Sequence, residues 1–164
     1  LTKLPIIADV AVASNKAKGK ADIVVHENQN NQMEEIFRSM RTNLQFMLKE
    51  GQKVVLFTSS TSGEGKTFNA ANLSVSFGLL GKKVILVGLD IRRPRLAELF
   101  GINDHKHGIT NLLVKDNPTA EELQEQILPS GVNKNLDLLM AGPIPPNPAE
   151  LIARNSLDII INLL

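Results

Sequence analysis

The chain has 164 residues, enough for one domain with a real core. Its formal net charge of +1 predicts no broad electrostatic pull on nucleic acid or an anionic membrane. Hydrophobic residues at 43% and charged residues at 21% fit an ordinary globular domain and exclude a disordered or fibrous one. With no cysteine there are no disulfides and no thiolate metal site, and no apolar run approaches the ~20 residues of a spanning helix. The sequence starts at Leu1 rather than methionine and stops inside the apolar run "LDIIINLL", so it reads as part of something longer.

In chain order, "LPIIADVAVA" reads as a short extended segment behind Pro5, and "SNKAKGKAD" as a mobile lysine-rich loop. From Asn31 to Glu50 the pattern is helical. Met33, Ile36, Phe37, Met40, Leu44 and Met47 form one stripe, and Gly51 stops it. "KVVLFTS" (53–59) is compact, apolar and β-branched, as a buried parallel strand is. Thr67 to Leu80 reads as a helix ended by Gly81, and "KKVILVGLD" (82–90) as a second buried strand. Short helices are predicted over 95–100, 109–114 and 119–127, a third strand in "NLDLLMAG" (135–142), and a last helix over 148–164 with proline in its first turn. Strands alternating with helices predict an α/β fold with a mainly parallel sheet flanked by helices in three layers.

Between the first strand and its helix lies "SSTSGEGKTF" (59–68), whose Gly65-Lys66-Thr67 closes the pattern G-x-x-x-x-G-K-[ST] of a phosphate-binding P-loop. Gly63 and Gly65 allow backbone angles that turn successive N–H groups inward, and the helix start adds partial positive charge. Lys66 is placed for the β- and γ-phosphates of ATP or ADP and Thr67 for Mg²⁺; the cradle is Thr61, Ser62, Gly63, Glu64, Gly65, Lys66, Thr67 and Phe68. The pattern's opening glycine is Ser60 here. The deviant Walker A group, which carries K-G-G-x-G-K-[ST], does not require that glycine, but its leading lysine is Thr61 in this chain.

Together with this loop, "VILVGLDIRRPRL" (84–96), "EEIFRSMRTNLQF" (34–46) and "MAGPIPPNPAELI" (140–152) resemble the bacterial tyrosine kinases, and the resemblance runs in order along almost the whole chain. It implies a P-loop kinase domain over 31–164 that ends before the Walker B strand and the tyrosine tail, preceded by a juxtamembrane segment and mobile loop over 1–30. It further implies a cytoplasmic domain of a bacterial inner-membrane protein, joined to a membrane-spanning region of the same chain or to a partner adaptor. The implied activity is tyrosine autophosphorylation, with Lys66 and Asp90 as catalytic residues, Thr67 and Asp90 on the metal, and regulation of capsule or exopolysaccharide export. The family's D-x-D is Gly88-Leu89-Asp90 here, so its first aspartate is missing. The resemblance also places Glu35, Arg38 and Arg41 on a helix that docks a neighbouring subunit in a ring, each C-terminal tyrosine tail entering the next subunit's site. Read from spacing alone, those three residues lie off the apolar stripe, on a solvated face. Rival readings are a nucleotide-sensing assembly module with little catalysis and a partition-type ATPase.

His105 and His107 read as solvated loop residues rather than metal ligands, and "PIPPNP" (143–148) as a rigid loop near the nucleotide. Arg92 or Arg93, close behind Asp90, could pair with a phosphate or an acidic tail.

Overall fold

Helix α1 (Gln32–Met47) begins where a side chain can close it: Asn31 has extended backbone, and its side chain accepts the Glu34 amide at 2.8 Å. The computed structural model describes residues 4–10, 23–27 and 31–164; the expected loop over 14–22 lies outside them. Along α1 the apolar stripe holds: Phe37 and Met40 are buried and Met33, Ile36 and Leu44 half-buried, while Met47 at the end is exposed. After the long connection through 48–65 come α2 (Lys66–Leu79), β1 (Val84–Val87) and the short α3 (Leu96–Phe100), α4 (Thr110–Leu113) and α5 (Ala120–Gln126). Two further strands, β2 (Ile127–Pro129) and β3 (Leu136–Leu139), are followed by α6 (Pro148–Ile152) and α7 (Asn155–Leu163).

The strands form one sheet in the order β1-β3-β2. β1 and β3 are parallel, with Val84 opposite Leu136 and Val87 opposite Leu139; β2 runs antiparallel to β3. The sheet is therefore mixed, a correction to the mainly parallel expectation. β2 has no signal of its own, being three residues that leave α5 directly and end on Pro129, which an edge position tolerates.

Strand alternation divides the core into two layers. Val84, Leu86, Leu136, Leu138 and Met140 face α1 and α2 with Phe37, Met40, Leu73 and Val75. Ile85, Val87, Leu139 and Ala141 face α4 to α7 with Leu112, Leu113, Leu123, Leu151 and Ile160. Helices on both faces of a sheet make three layers, as expected.

Two expected elements differ. The apolar run over 53–59 forms no strand, and among the described residues no strand pairs with it. Phe57 packs against the first core layer, while Val54 and Leu56 remain 70% and 76% exposed. Apolar β-branched residues favour a strand only where a ladder partner exists, because the lone segment leaves its own amides unpaired. The predicted last helix is two, α6 and α7, broken at Arg154, whose backbone is extended. There the buried Ser156 hydroxyl donates to the Leu113 carbonyl at 3.0 Å, and Arg154 reaches Asp116.

Candidate functional site

The loop ahead of α2 is shaped by two glycines at positive φ, Gly63 at 94° and Gly65 at 85°, conformations that side chains rarely adopt. Gly65 occupies the N-cap position of α2 without a side-chain hydrogen bond, and its carbonyl accepts the Asn69 amide at 2.8 Å. The amides of Lys66, Thr67 and Phe68 therefore begin the helix with neither an intrahelical acceptor nor a side-chain cap. No acidic residue stands in that first turn, and the half-buried Lys66 makes no ion pair among the described residues. A cation at the positive end of a helix dipole, beside uncapped amides, is electrostatically unfavourable until an anion arrives. This donor set fits a polyphosphate.

Glu64 is turned away from Lys66. Its carboxylate accepts the Ser60 amide at 3.0 Å, the Ser60 hydroxyl at 3.2 Å and the Thr61 amide at 3.4 Å. The Thr61 hydroxyl and amide, followed by the Ser60 groups, hold the Glu64 carboxyl below the usual glutamate range. The Phe68 ring packs edge-on against Phe37, centroids 5.8 Å apart, so this residue contributes packing and a backbone amide rather than a side-chain contact.

Asp90 lies three residues beyond the end of β1, not on the strand itself as expected. α2 spans ~21 Å and returns through Gly81 to the start of β1, whose four residues run ~13 Å in the opposite direction. The end of β1 thus points toward the end of the sheet at which α2 begins. Asp90 is exposed, and its Oδ1 accepts the Arg93 amide at 3.1 Å; no hydrogen bond joins it to Lys66 or Thr67 among the described residues. Arg95 pairs with Glu98 at 3.1 Å, while Arg92 and Arg93 are exposed without an ion pair among the described residues.

The parallel strand β3 ends on the same side. Gly108 to Thr110 runs against it, with the Ile109 amide donating to Met140 and the Thr110 amide to Ala141. A Cβ on Gly108 would stand 2.2 Å from the Gly142 nitrogen, so only glycine permits this approach. It anchors the start of the 143–148 loop, in which Pro145 is buried.

No protein-family profile matches the chain. It is 42% identical to the tyrosine-protein kinase YwqD of Bacillus subtilis over 120 residues, which are 73% of this chain and 48% of that relative. The chain thus spans about half the length of this curated relative. Among solved structures, the chimerical protein CapA2B2 superposes with a TM-score of 0.80 at 30% identity, covering 97% of this chain and 65% of that one. The kinase domain of the Escherichia coli tyrosine kinase ETK superposes with a TM-score of 0.75 at 26% identity, covering 86% and 54%. The chain belongs to the bacterial tyrosine kinase family.

Within that family this chain's departure at Gly88 has a packing counterpart. A Cβ there would stand 3.3 Å from the Leu96 side chain and 3.4 Å from the Ala141 amide, so Leu96 fills the space beside position 88. On α1, Arg38 lies between Glu34 at 3.3 Å and Glu35 at 3.6 Å. Arg41 corrects the solvated-face reading. Its guanidinium turns inward and donates to the Ser76 carbonyl of α2 at 2.7 Å and to the Ser76 hydroxyl at 3.1 Å, and burial, then Arg38, lowers its pKa. Asn72 went unnoticed in the sequence. It is fully buried on α2, and its side chain accepts the Val24 amide at 2.7 Å and donates to the Phe68 carbonyl at 3.0 Å, holding the P-loop helix in place. The available signal is an amide side chain within the apolar stretch that follows the loop. His107 pairs with Asp104 at 2.8 Å; the amides of His107 and Lys106 help hold Asp104 at about 2. Among the described residues no cluster of three or more acidic or histidine side chains could hold a metal, and no helix is long and apolar enough to cross a membrane.

Proposed function

We propose that this chain is catalytic-domain sequence of an ATP-dependent protein-tyrosine autokinase acting on the cytoplasmic side of a bacterial inner membrane and regulating capsule or exopolysaccharide export. The observation that carries this reading is the uncapped, lysine-led start of α2 behind two positive-φ glycines. The amides of Gly63 to Phe68 would cradle the phosphates of ATP, with Thr61 and Ser62 at the rim, and Lys66 would neutralise charge on the β- and γ-phosphate oxygens. Bound Mg²⁺ would supply charge neutralisation between those phosphates; the Thr67 hydroxyl would hold it, supported by Asp90. In the transfer, a tyrosine oxygen bonds to the γ-phosphorus and the bond to the bridging oxygen of the departing ADP breaks. Where Asp90 does not support the metal, its carboxylate takes the phenolic proton. The 164 residues contain no tyrosine, so the acceptor lies outside them, in this reading on the tail of a neighbouring copy.

Assembly would use the α1 face carrying Glu35 and Arg38. Among the described residues, one Glu34 carboxylate oxygen and the Arg41 Nε are buried without a hydrogen-bond partner there, beside a shallow groove lined also by Arg38 and Leu80. A docking subunit would supply what they lack. Charge reversal at Arg38 should leave a folded protein of monomer mass by light scattering.

Phosphopeptide mass spectrometry on a tyrosine-bearing acceptor incubated with the protein and Mg·ATP, with and without Lys66→Ala, tests the activity. Phosphotyrosine that disappears in the variant is the expected result. Its absence from both would replace catalysis with nucleotide-gated assembly, the reading that Leu96 beside Gly88 favours.

A further inference from the structure

We infer that Glu64 and Ser60 form a clamp that pre-shapes the phosphate loop, making Glu64 a positioning residue for nucleotide binding despite its negative charge. The inference rests on the nucleotide reading of this loop. A carboxylate four residues after Ser60 gathers both Ser60 donors and the Thr61 amide, closing residues 60 to 64 into a ring that contains the positive-φ Gly63. The Ser59 hydroxyl, donating to the Thr61 carbonyl at 3.0 Å, tightens the same turn. The Ser60 hydroxyl makes a contact that the glycine of the usual pattern could not make. Side-chain bonding here closes the loop in place of that glycine's backbone freedom.

The direction of the carboxylate separates a clamp from a stand-in for phosphate. A carboxylate imitating phosphate would lie over the Lys66 ammonium and the amides that open α2. Glu64 instead binds the start of the loop and makes no ion pair with Lys66, so the cation and the uncapped amides stay available. Loop ordering completed before the ligand arrives is not charged against binding.

Electrostatics and positioning predict opposite signs, which makes the test sharp. Removing a negative charge beside a polyphosphate should tighten binding, whereas removing a clamp should weaken it. The measurement is calorimetric affinity for ADP in excess Mg²⁺, on the wild-type protein and on Glu64→Ala, Glu64→Gln, Ser60→Gly, Lys66→Ala and the Ser60→Gly/Glu64→Ala double variant. Glu64→Ala should bind about 2- to 12-fold more weakly. Glu64→Gln, which keeps an acceptor oxygen, should recover part of the loss, and the double variant should be no weaker than Glu64→Ala alone. Melting temperatures without nucleotide should stay level, because the clamp lies on the surface. Affinity that is equal or tighter in Glu64→Ala, while Lys66→Ala still weakens binding, overturns the clamp and leaves the phosphate site standing. A wild-type protein that does not bind ADP overturns both.

Discussion

Helices α5 and α2 begin in opposite ways. At α5 the Thr119 side chain accepts the Glu122 amide at 3.3 Å, the Glu122 carboxylate accepts the Thr119 amide at 3.0 Å, and acidic residues fill the first turn. Every rule for a stable helix start is obeyed there. α2 breaks those rules together, with glycine at the cap, no side-chain acceptor, no acid and a lysine as its first residue. One start closes on itself; the other leaves its first amides without a side-chain acceptor. A helix start that forgoes local stabilisation marks where a fold has kept capacity for a ligand.

The largest effect that sharpens this contrast is on binding. Lys66→Ala removes a charge-assisted hydrogen bond of about 1.5–3 kcal/mol, so ADP affinity should fall roughly 10- to 150-fold. Thr119→Ala should cost about 1 kcal/mol of stability in denaturant unfolding and leave ADP affinity unchanged. A loss of affinity there would break the contrast, since it would tie the closed start to the site. The same Lys66→Ala should stabilise the nucleotide-free protein by about 0.3–1 kcal/mol, because it lifts a cation from the positive end of α2. A marked destabilisation would mean that the lysine supports the fold. The smallest effect is in pH. The Lys115 ammonium, followed by the Thr119 amide, lowers the Glu122 pKa from the ordinary 4.5. With the folded value depressed, its contribution is fully present above about pH 4.5 and is lost as the pH falls through the lowered value. A carboxyl carbon titration should show a midpoint below 4.5 that rises in Lys115→Met.

The glycine-rich turn before α2 was legible because it is written in neighbouring residues. Gly63, Gly65, Lys66 and Thr67 stand together just before a helical pattern, which places them at the start of α2. The strand expected over 82–90 is shorter, Val84–Val87, and leaves Asp90 in the loop beyond its end. The Glu64 clamp is equally local, but a glutamate within a glycine-rich loop has many possible acceptor geometries, and spacing alone does not choose among them. Arg41 was misread as solvated because helical periodicity gives an angle around one helix and says nothing of a second helix at that angle.

By itself the sequence determined the helical stripe of α1, the alternation that gives β1 and β3 two buried faces, and the phosphate-loop pattern. These depend on residues within a few positions of each other, where backbone geometry allows few outcomes. Tertiary structure alone decided that Arg41 ties α1 to Ser76 and that Asn72 anchors Val24, contacts across 35 and 48 residues. It also decided that Leu96 fills the space beside Gly88, and that Val84 to Val87 became a strand while Val54 to Leu56 did not. The two apolar runs are near twins in composition. A strand, however, is a property of a pair, and only the folded chain supplies or withholds the partner.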